Sequence, residues 1–143
     1  CYGGIKQANW LLEVIDNAEV SDLRILDLAR GQAYFMRALC YFNLTRYFGE
    51  VPIVLSTDVN QKITSLGTVK EIYDLVLSDL DLAASMLPEF AWNEANLGTT
   101  AKVMPQLWNG NKAIPTQGWV RALKSQIYLT MAGWPLNETA KYA

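Results

Sequence analysis

Ala29-Arg-Gly-Gln-Ala-Tyr-Phe-Met-Arg-Ala-Leu-Cys-Tyr-Phe-Asn-Leu-Thr-Arg-Tyr-Phe-Gly-Glu-Val-Pro52 is the stretch that decides the fold. Apolar residues at Leu26, Ala29, Ala33, Met36, Cys40, Leu44 and Tyr47/Phe48 recur every three or four positions, the period of a helix that buries one face. Gly49 supplies the left-handed residue that ends such a helix, and Pro52 cannot resume it. The stretch therefore reads as one long aromatic helix with a short extended exit, Val51-Pro-Ile-Val-Leu55.

The same periodicity extends to both sides. A first helix runs from Tyr2 to Asp16 with Ile5, Ala8, Leu12 and Ile15 in register, and Asn17 caps it. The long helix begins near Ser21/Asp22, whose side-chain oxygens suit a helix start, and Gly31 inside it predicts close packing against a neighbour. Thr68-Val-Lys-Glu71 is a capping box that opens a third helix. Val69, Ile72/Tyr73, Val76, Leu80, Ala83 and Leu87 form its buried stripe, and Pro88 stops it. A fourth spans Gly118 to Ala132 with Val120, Leu123, Ile127 and Met131 inward, ending at Gly133. Asn137 caps a fifth helix that is barely entered, and a single turn has no partner for its apolar face, so the chain reads as a fragment.

Arg37-Ala-Leu39 before Gly49 matches Arg121-Ala-Leu123 before Gly133, at equal spacing. The pattern predicts an all-α fold of tetratricopeptide-like helical hairpins joined by long irregular loops, 49–67 and 88–117.

Composition excludes most chemistry. Twelve basic against 14 acidic residues, with no basic run, give no phosphate-binding stripe, so nucleic acid is not expected as a partner. The absence of histidine removes the commonest general base, the Ser-His and Cys-His nucleophiles and most zinc sites. Cys40 falls on the apolar stripe and reads as a small core residue. No run of eighteen apolar residues exists to cross a bilayer as a helix. Asp74 and Asp81 share a face of the third helix, but Lys70 and Lys124 are available as surface partners; Asp79 and Asp81 point to different sides. No carboxylate pair suited to glycoside hydrolysis emerges, nor any cofactor motif.

Aromatic residues are the better lead. Trp92-Asn93 and Trp108-Asn109 each set an indole beside an amide in the long 88–117 loop, and a flat ring next to hydrogen-bonding groups suits a sugar. These four residues are the candidate glycan-binding site, with pinning of the loop to the helices as the competing role. Trp10, Trp119 and Trp134 read as packing residues. Tyr34, Phe35, Tyr41, Phe42, Tyr47 and Phe48 cover more than one side of their helix, which implies burial between neighbours or beneath a further part of the protein. The sequons Asn43-Leu-Thr45 and Asn137-Glu-Thr139 fall within a helix and at a helix cap, and read as chance matches.

Several of these motifs, in order, resemble the SusD/RagB family of nutrient-binding outer-membrane lipoproteins of Bacteroidetes. They are Ile5-Lys-Gln-Ala-Asn-Trp-Leu-Leu12, Arg46-Tyr-Phe-Gly-Glu-Val-Pro-Ile53, Val69-Lys-Glu-Ile-Tyr-Asp74, Asp79-Leu-Asp-Leu-Ala-Ala84 with Leu87-Pro88, and Ala122-Leu-Lys-Ser-Gln-Ile-Tyr-Leu-Thr-Met-Ala-Gly133. The resemblance implies that residues 1–143 are part of a single SusD-like helical domain. It implies a non-enzymatic protein, lipid-anchored on the outer face of the outer membrane, that captures oligosaccharides, or in some members peptides. Such a protein acts as a lid over a SusC-like TonB-dependent transporter. Cys1 would suit a lipid-carrying residue, but a helix that starts at Tyr2 leaves no flexible linker, so Cys1 is read as an internal position. Sequence alone also admits a helical-repeat scaffold that binds another protein on its concave surface.

Overall fold

A computed structural model describes residues 1–19, 23–58, 65–89, 115–133 and 136. Four helices follow one another in it: α1 (Tyr2–Asp16), α2 (Leu23–Phe48), α3 (Val69–Met86) and α4 (Gln117–Ala132). The only pairing of extended backbone among the described residues is an isolated antiparallel bridge between Val51 and Gly67. The fold is all-α, built of tetratricopeptide-like helical hairpins.

Contacts between helices set their directions. Gly4 faces Cys40, Asn9 reaches Arg37 and Asp16 reaches Arg30, so rising numbers on α1 meet falling numbers on α2. Gly31 meets Met86 and Leu87, Arg37 meets Asp79 and Phe42 meets Tyr73, which makes α2 and α3 antiparallel as well. Gln117 bonds to the carbonyl of Leu87, and Lys124 pairs with Asp81, which repeats the relation for α3 and α4. The helices run up, down, up and down, with α2 and α3 at the centre.

The core lies where the stripes meet. Ile72, Tyr73, Val76, Leu80 and Ala83 of α3 and Val120, Leu123, Ile127 and Met131 of α4 are buried as their periodicity predicts. On α1, Ile5, Ala8 and Ile15 are buried and Leu12 is half-buried. Helix α2 departs from the single-stripe reading. Leu26, Ala33 and Leu44 are buried, but so are Leu28, Phe35, Ala38, Tyr41 and Phe42, because α1 covers one side of this helix and α3 another. Met36, expected inward, is exposed, and Tyr47 and Phe48 are 80% and 72% exposed. The aromatic cluster thus divides: Phe35, Tyr41 and Phe42 are covered by the described helices themselves, with Phe42 packed on Tyr73 at 6.1 Å between ring centroids, while Tyr47 and Phe48 face outward. Cys40 is half-buried beside Gly4 rather than deep in the core, and burial pushes its thiol above the usual range. Trp10 and Trp119 are also more than half exposed, so neither is a core residue; Trp119 meets Phe35 edge-on at 6.5 Å.

Local signals fix the helix ends. The Thr68 side chain accepts from the Glu71 amide while Glu71 accepts from the Thr68 amide at 2.8 Å, completing the capping box. Gly49 adopts φ 71°, and its amide closes the last turn of α2 on the Thr45 carbonyl. Gly133 ends α4 differently, in extended backbone at φ −87° and ψ −173°, and Arg121 is exposed with Gln117 as its partner among the described residues, whereas Arg37 is buried. The matched Arg-Ala-Leu triplets therefore do different jobs. Gly31 is buried as predicted, since a Cβ there would stand 3.0 Å from Leu87. The start of α2 near Ser21/Asp22 and the helix from Asn137 lie outside the described residues.

Alanine at Gly49 forces an L side chain into the left-handed region and should lower stability by about 1 kcal/mol, with asparagine tolerated better; urea denaturation measures both. Hydrogen bonds from Thr68 hold the Glu71 carboxyl below its ordinary range. Its contribution is therefore present above the pKa it has in the unfolded chain, and is lost as pH falls through the lower folded value. Glu71→Gln keeps the reciprocal bond without the titration, so its acid denaturation should depend less steeply on pH than that of the parent chain.

Candidate functional site

Three polar residues occupy core positions, one on each of the first three helices. Asn9 follows Ile5 by four residues, Arg37 follows Ala33 by four, and Asp79 follows Val76 by three, so each stands in the register of a buried stripe. Their relative exposures are 1%, 8% and 2%. Arg37 donates from Nε to Asp79 Oδ2 at 2.7 Å and from Nη2 to Oδ1 at 2.8 Å, a two-pronged pair, and from Nη1 to Asn9 Oδ1 at 2.9 Å. The Tyr34 ring lies 5.3 Å below the guanidinium. Burial raises the Asp79 carboxyl above its usual range, with the Arg37 bonds and charge opposing. Burial also works against the Arg37 cation, but its bonds to Asp79 prevail and hold it raised. Periodicity alone marks these three as faults in an apolar pattern, and the signal that finds them is their complementarity: one cation, one anion and one amide.

The network continues into the chain that leaves α2. Asn9 donates from Nδ2 to the Val54 carbonyl at 2.9 Å; the Tyr41 hydroxyl donates to that carbonyl at 3.0 Å and accepts from the Val54 amide at 2.7 Å. Tyr2 donates to the Pro52 carbonyl, and the Glu13 carboxylate accepts from the Thr57 amide and hydroxyl. Residues 52–57 therefore lie along α1 in the same direction. Five steps of extended backbone from Pro52 to Thr57 and eleven helical steps from Tyr2 to Glu13 each cover about 16 Å, so the two stay in step.

Two clefts flank this framework. One, of 240 Å³, lies between α1 and the extended segment against Tyr2, Lys6, Ser56 and Thr57. The other, of 490 Å³, opens at the end of the bundle where α2 and α4 finish and α3 begins, and is lined by Thr45, Arg46, Gly49, Glu50, Val69, Tyr73 and Thr130. Neither contains a pair of carboxylates. Asp74 and Asp81 are taken up by Lys70 at 3.3 Å and Lys124 at 2.6 Å, as their surface register predicts. Among the described residues no cluster of metal-ligating side chains occurs, and no helix is long and apolar enough to cross a membrane. The sequon at Asn43 sits within α2 with its Thr45 buried. Trp92, Asn93, Trp108 and Asn109 lie outside the described residues, as does Trp134.

A family profile described as starch-binding proteins associating with the outer membrane matches residues 1–102. The chain belongs to this SusD-like family. SusD-like protein P2 of Formosa agariphila is 24% identical over 123 residues, covering 82% of this chain and 21% of its own. The crystal structure of a SusD superfamily protein from Parabacteroides distasonis superposes with a TM-score of 0.78 at 29% identity, over 99% of this chain and 27% of that one. Surface glycan-binding protein A from Bacteroides uniformis shares the fold at a TM-score of 0.72 and 22% identity, over 90% of this chain and 26% of its own. The chain spans about a quarter or less of these SusD-like relatives. Its long aromatic helix and Arg46-to-Ile53 exit, which carried the resemblance, are framework of that shared fold.

Removing one partner of the buried pair leaves the other charge unpaired, so Arg37→Ala or Asp79→Ala should each destabilise by about 3–5 kcal/mol. The double variant Arg37→Met/Asp79→Leu should recover much of that loss. Denaturant titration of the parent, Arg37→Met, Asp79→Leu and the double variant completes a double-mutant cycle, and additive losses would show that the pair is not coupled.

Proposed function

We propose that residues 1–143 are part of a single SusD-like helical domain in a non-catalytic nutrient-binding protein of a SusC/SusD-type uptake system. In this reading the protein captures oligosaccharides at the cell surface and delivers them to a TonB-dependent outer-membrane transporter. It is held at the outer membrane as a surface-exposed lipoprotein. The observation that carries the proposal is the family match over residues 1–102, from a family described by starch binding and outer-membrane association. The likeness in fold to a surface glycan-binding protein supports it. Asp74, Asp79 and Asp81 are engaged in ion pairs, Glu71 in a capping box and Glu13 in a loop clamp, rather than set opposite one another, which accords with binding rather than hydrolysis.

A second reading, a helical-repeat scaffold for another protein, draws on the outward-facing Trp10, Tyr47, Phe48 and Trp119. Glycan-array binding separates the two: retention of oligosaccharides supports the uptake role, whereas a blank array with stable capture of a protein partner supports the scaffold. Co-purification with a TonB-dependent transporter tests the delivery step.

Within this proposal Trp92 and Trp108, with Asn93 and Asn109, form the sugar-stacking surface. Trp92→Ala and Trp108→Ala should each weaken glycan binding by about 1–2 kcal/mol with little change in melting temperature. A loss of stability with affinity nearly preserved would instead assign these residues to pinning the loop.

A further inference from the structure

The cleft at the bundle end has features that packing leaves unexplained. Thr45, 5% exposed, places its hydroxyl in the protein with no hydrogen-bond partner. A buried unpaired hydroxyl is destabilising, and a helical threonine can ordinarily bond back to its own helix, as Thr130 does to the Gln126 carbonyl at 2.8 Å. Tyr73, 3% exposed, forms the inner wall, and no described residue bonds to its hydroxyl. Burial raises that phenol, and the nearby Arg46 charge opposes the shift. Arg46 lies over the Phe42 ring at 5.3 Å and makes no ion pair with a described residue, although Glu50 lines the same cleft. The cleft thus joins a fixed cation, three hydroxyl groups and one carboxylate on a partly apolar floor.

We propose that this cleft is a binding site for a carboxylated sugar, a uronic acid unit of an oligosaccharide. The sugar carboxylate pairs with Arg46, and its ring hydroxyls bond to Tyr73, Thr45 and Glu50. Neutral sugar hydroxyls supply the donors that Glu50 accepts, while the Arg46 cation has no counterpart on a neutral sugar. The volume of 490 Å³ admits a disaccharide-sized ligand. This assignment rests on the glycan-binding reading above and narrows it to a substrate class.

Calorimetric titration of the full-length protein with cellobiouronic acid and with cellobiose, which differ in one carboxylate, tests it. The acidic disaccharide should bind roughly tenfold more tightly in about 50 mM salt, with the preference shrinking as salt rises. Arg46→Gln, at an exposed position, should abolish the preference, and Tyr73→Phe, which keeps the ring, should weaken the acidic ligand several-fold. Thr45→Val should weaken binding while leaving the melting temperature equal or higher, since it removes an unpaired hydroxyl at constant shape. Equal affinity for the two sugars, or a preference that survives Arg46→Gln, overturns the site while leaving the glycan-binding reading intact. Binding of neither sugar, joined by a blank glycan array, overturns both.

Discussion

The guanidinium of Arg37 is the point on which the described structure depends, because from α2 it hydrogen-bonds to α1 and α3 at once. Its two bonds to Asp79 fix the register of α2 against α3, and its bond to Asn9 fixes α1 against both. Apolar stripes could slide by a turn with little change in buried area. A planar fork with a carboxylate in front of it has one satisfactory geometry. Whether such a pair adds net stability over an apolar replacement is decided by its desolvation, but its effect on alignment follows from geometry alone.

That alignment reaches the segment after α2. Asn9 is shared between Arg37 and the Val54 carbonyl, and Tyr41 holds the same residue through both its backbone groups. The extended exit is thus tied to the polar core and runs along α1, between the Tyr2 and Glu13 contacts. Gly67 closes the far end of the loop on the Val51 carbonyl, and a Cβ there would come within 2.6 Å of Ile53. A sequence motif that looks like a helix stop followed by a loop is, in space, a clamp on a fifth packed element.

The same arrangement explains why the family motifs reveal little about ligand contacts. Arg46 to Ile53 contains the glycine that ends α2 and the start of the clamped segment, so most of its residues serve the framework. The exception is Arg46, which pairs with no described carboxylate and stands at the bundle end beside Tyr73 and the unpartnered hydroxyl of Thr45. A framework residue is recognised by its satisfied partners, and a candidate contact by the lack of them.

What the sequence determined by itself was local. The stripes of α3 and α4, the capping box at Thr68 and Glu71, the left-handed Gly49 and the close approach at Gly31 all follow from short-range sterics and hydrogen bonding, which act within a few residues. The surface pairing of Asp74 and Asp81 with lysines was equally readable. What only the tertiary structure decided was which of several faces of α2 each neighbour covers. Periodicity groups residues by face without saying how many faces are buried, so Met36, Tyr47 and Phe48 turned outward while Arg37 turned in. The partnership of Asn9, Arg37 and Asp79 was equally invisible, since residues 28 and 42 positions apart meet only once three helices are packed and the loss of water makes their pairing obligatory.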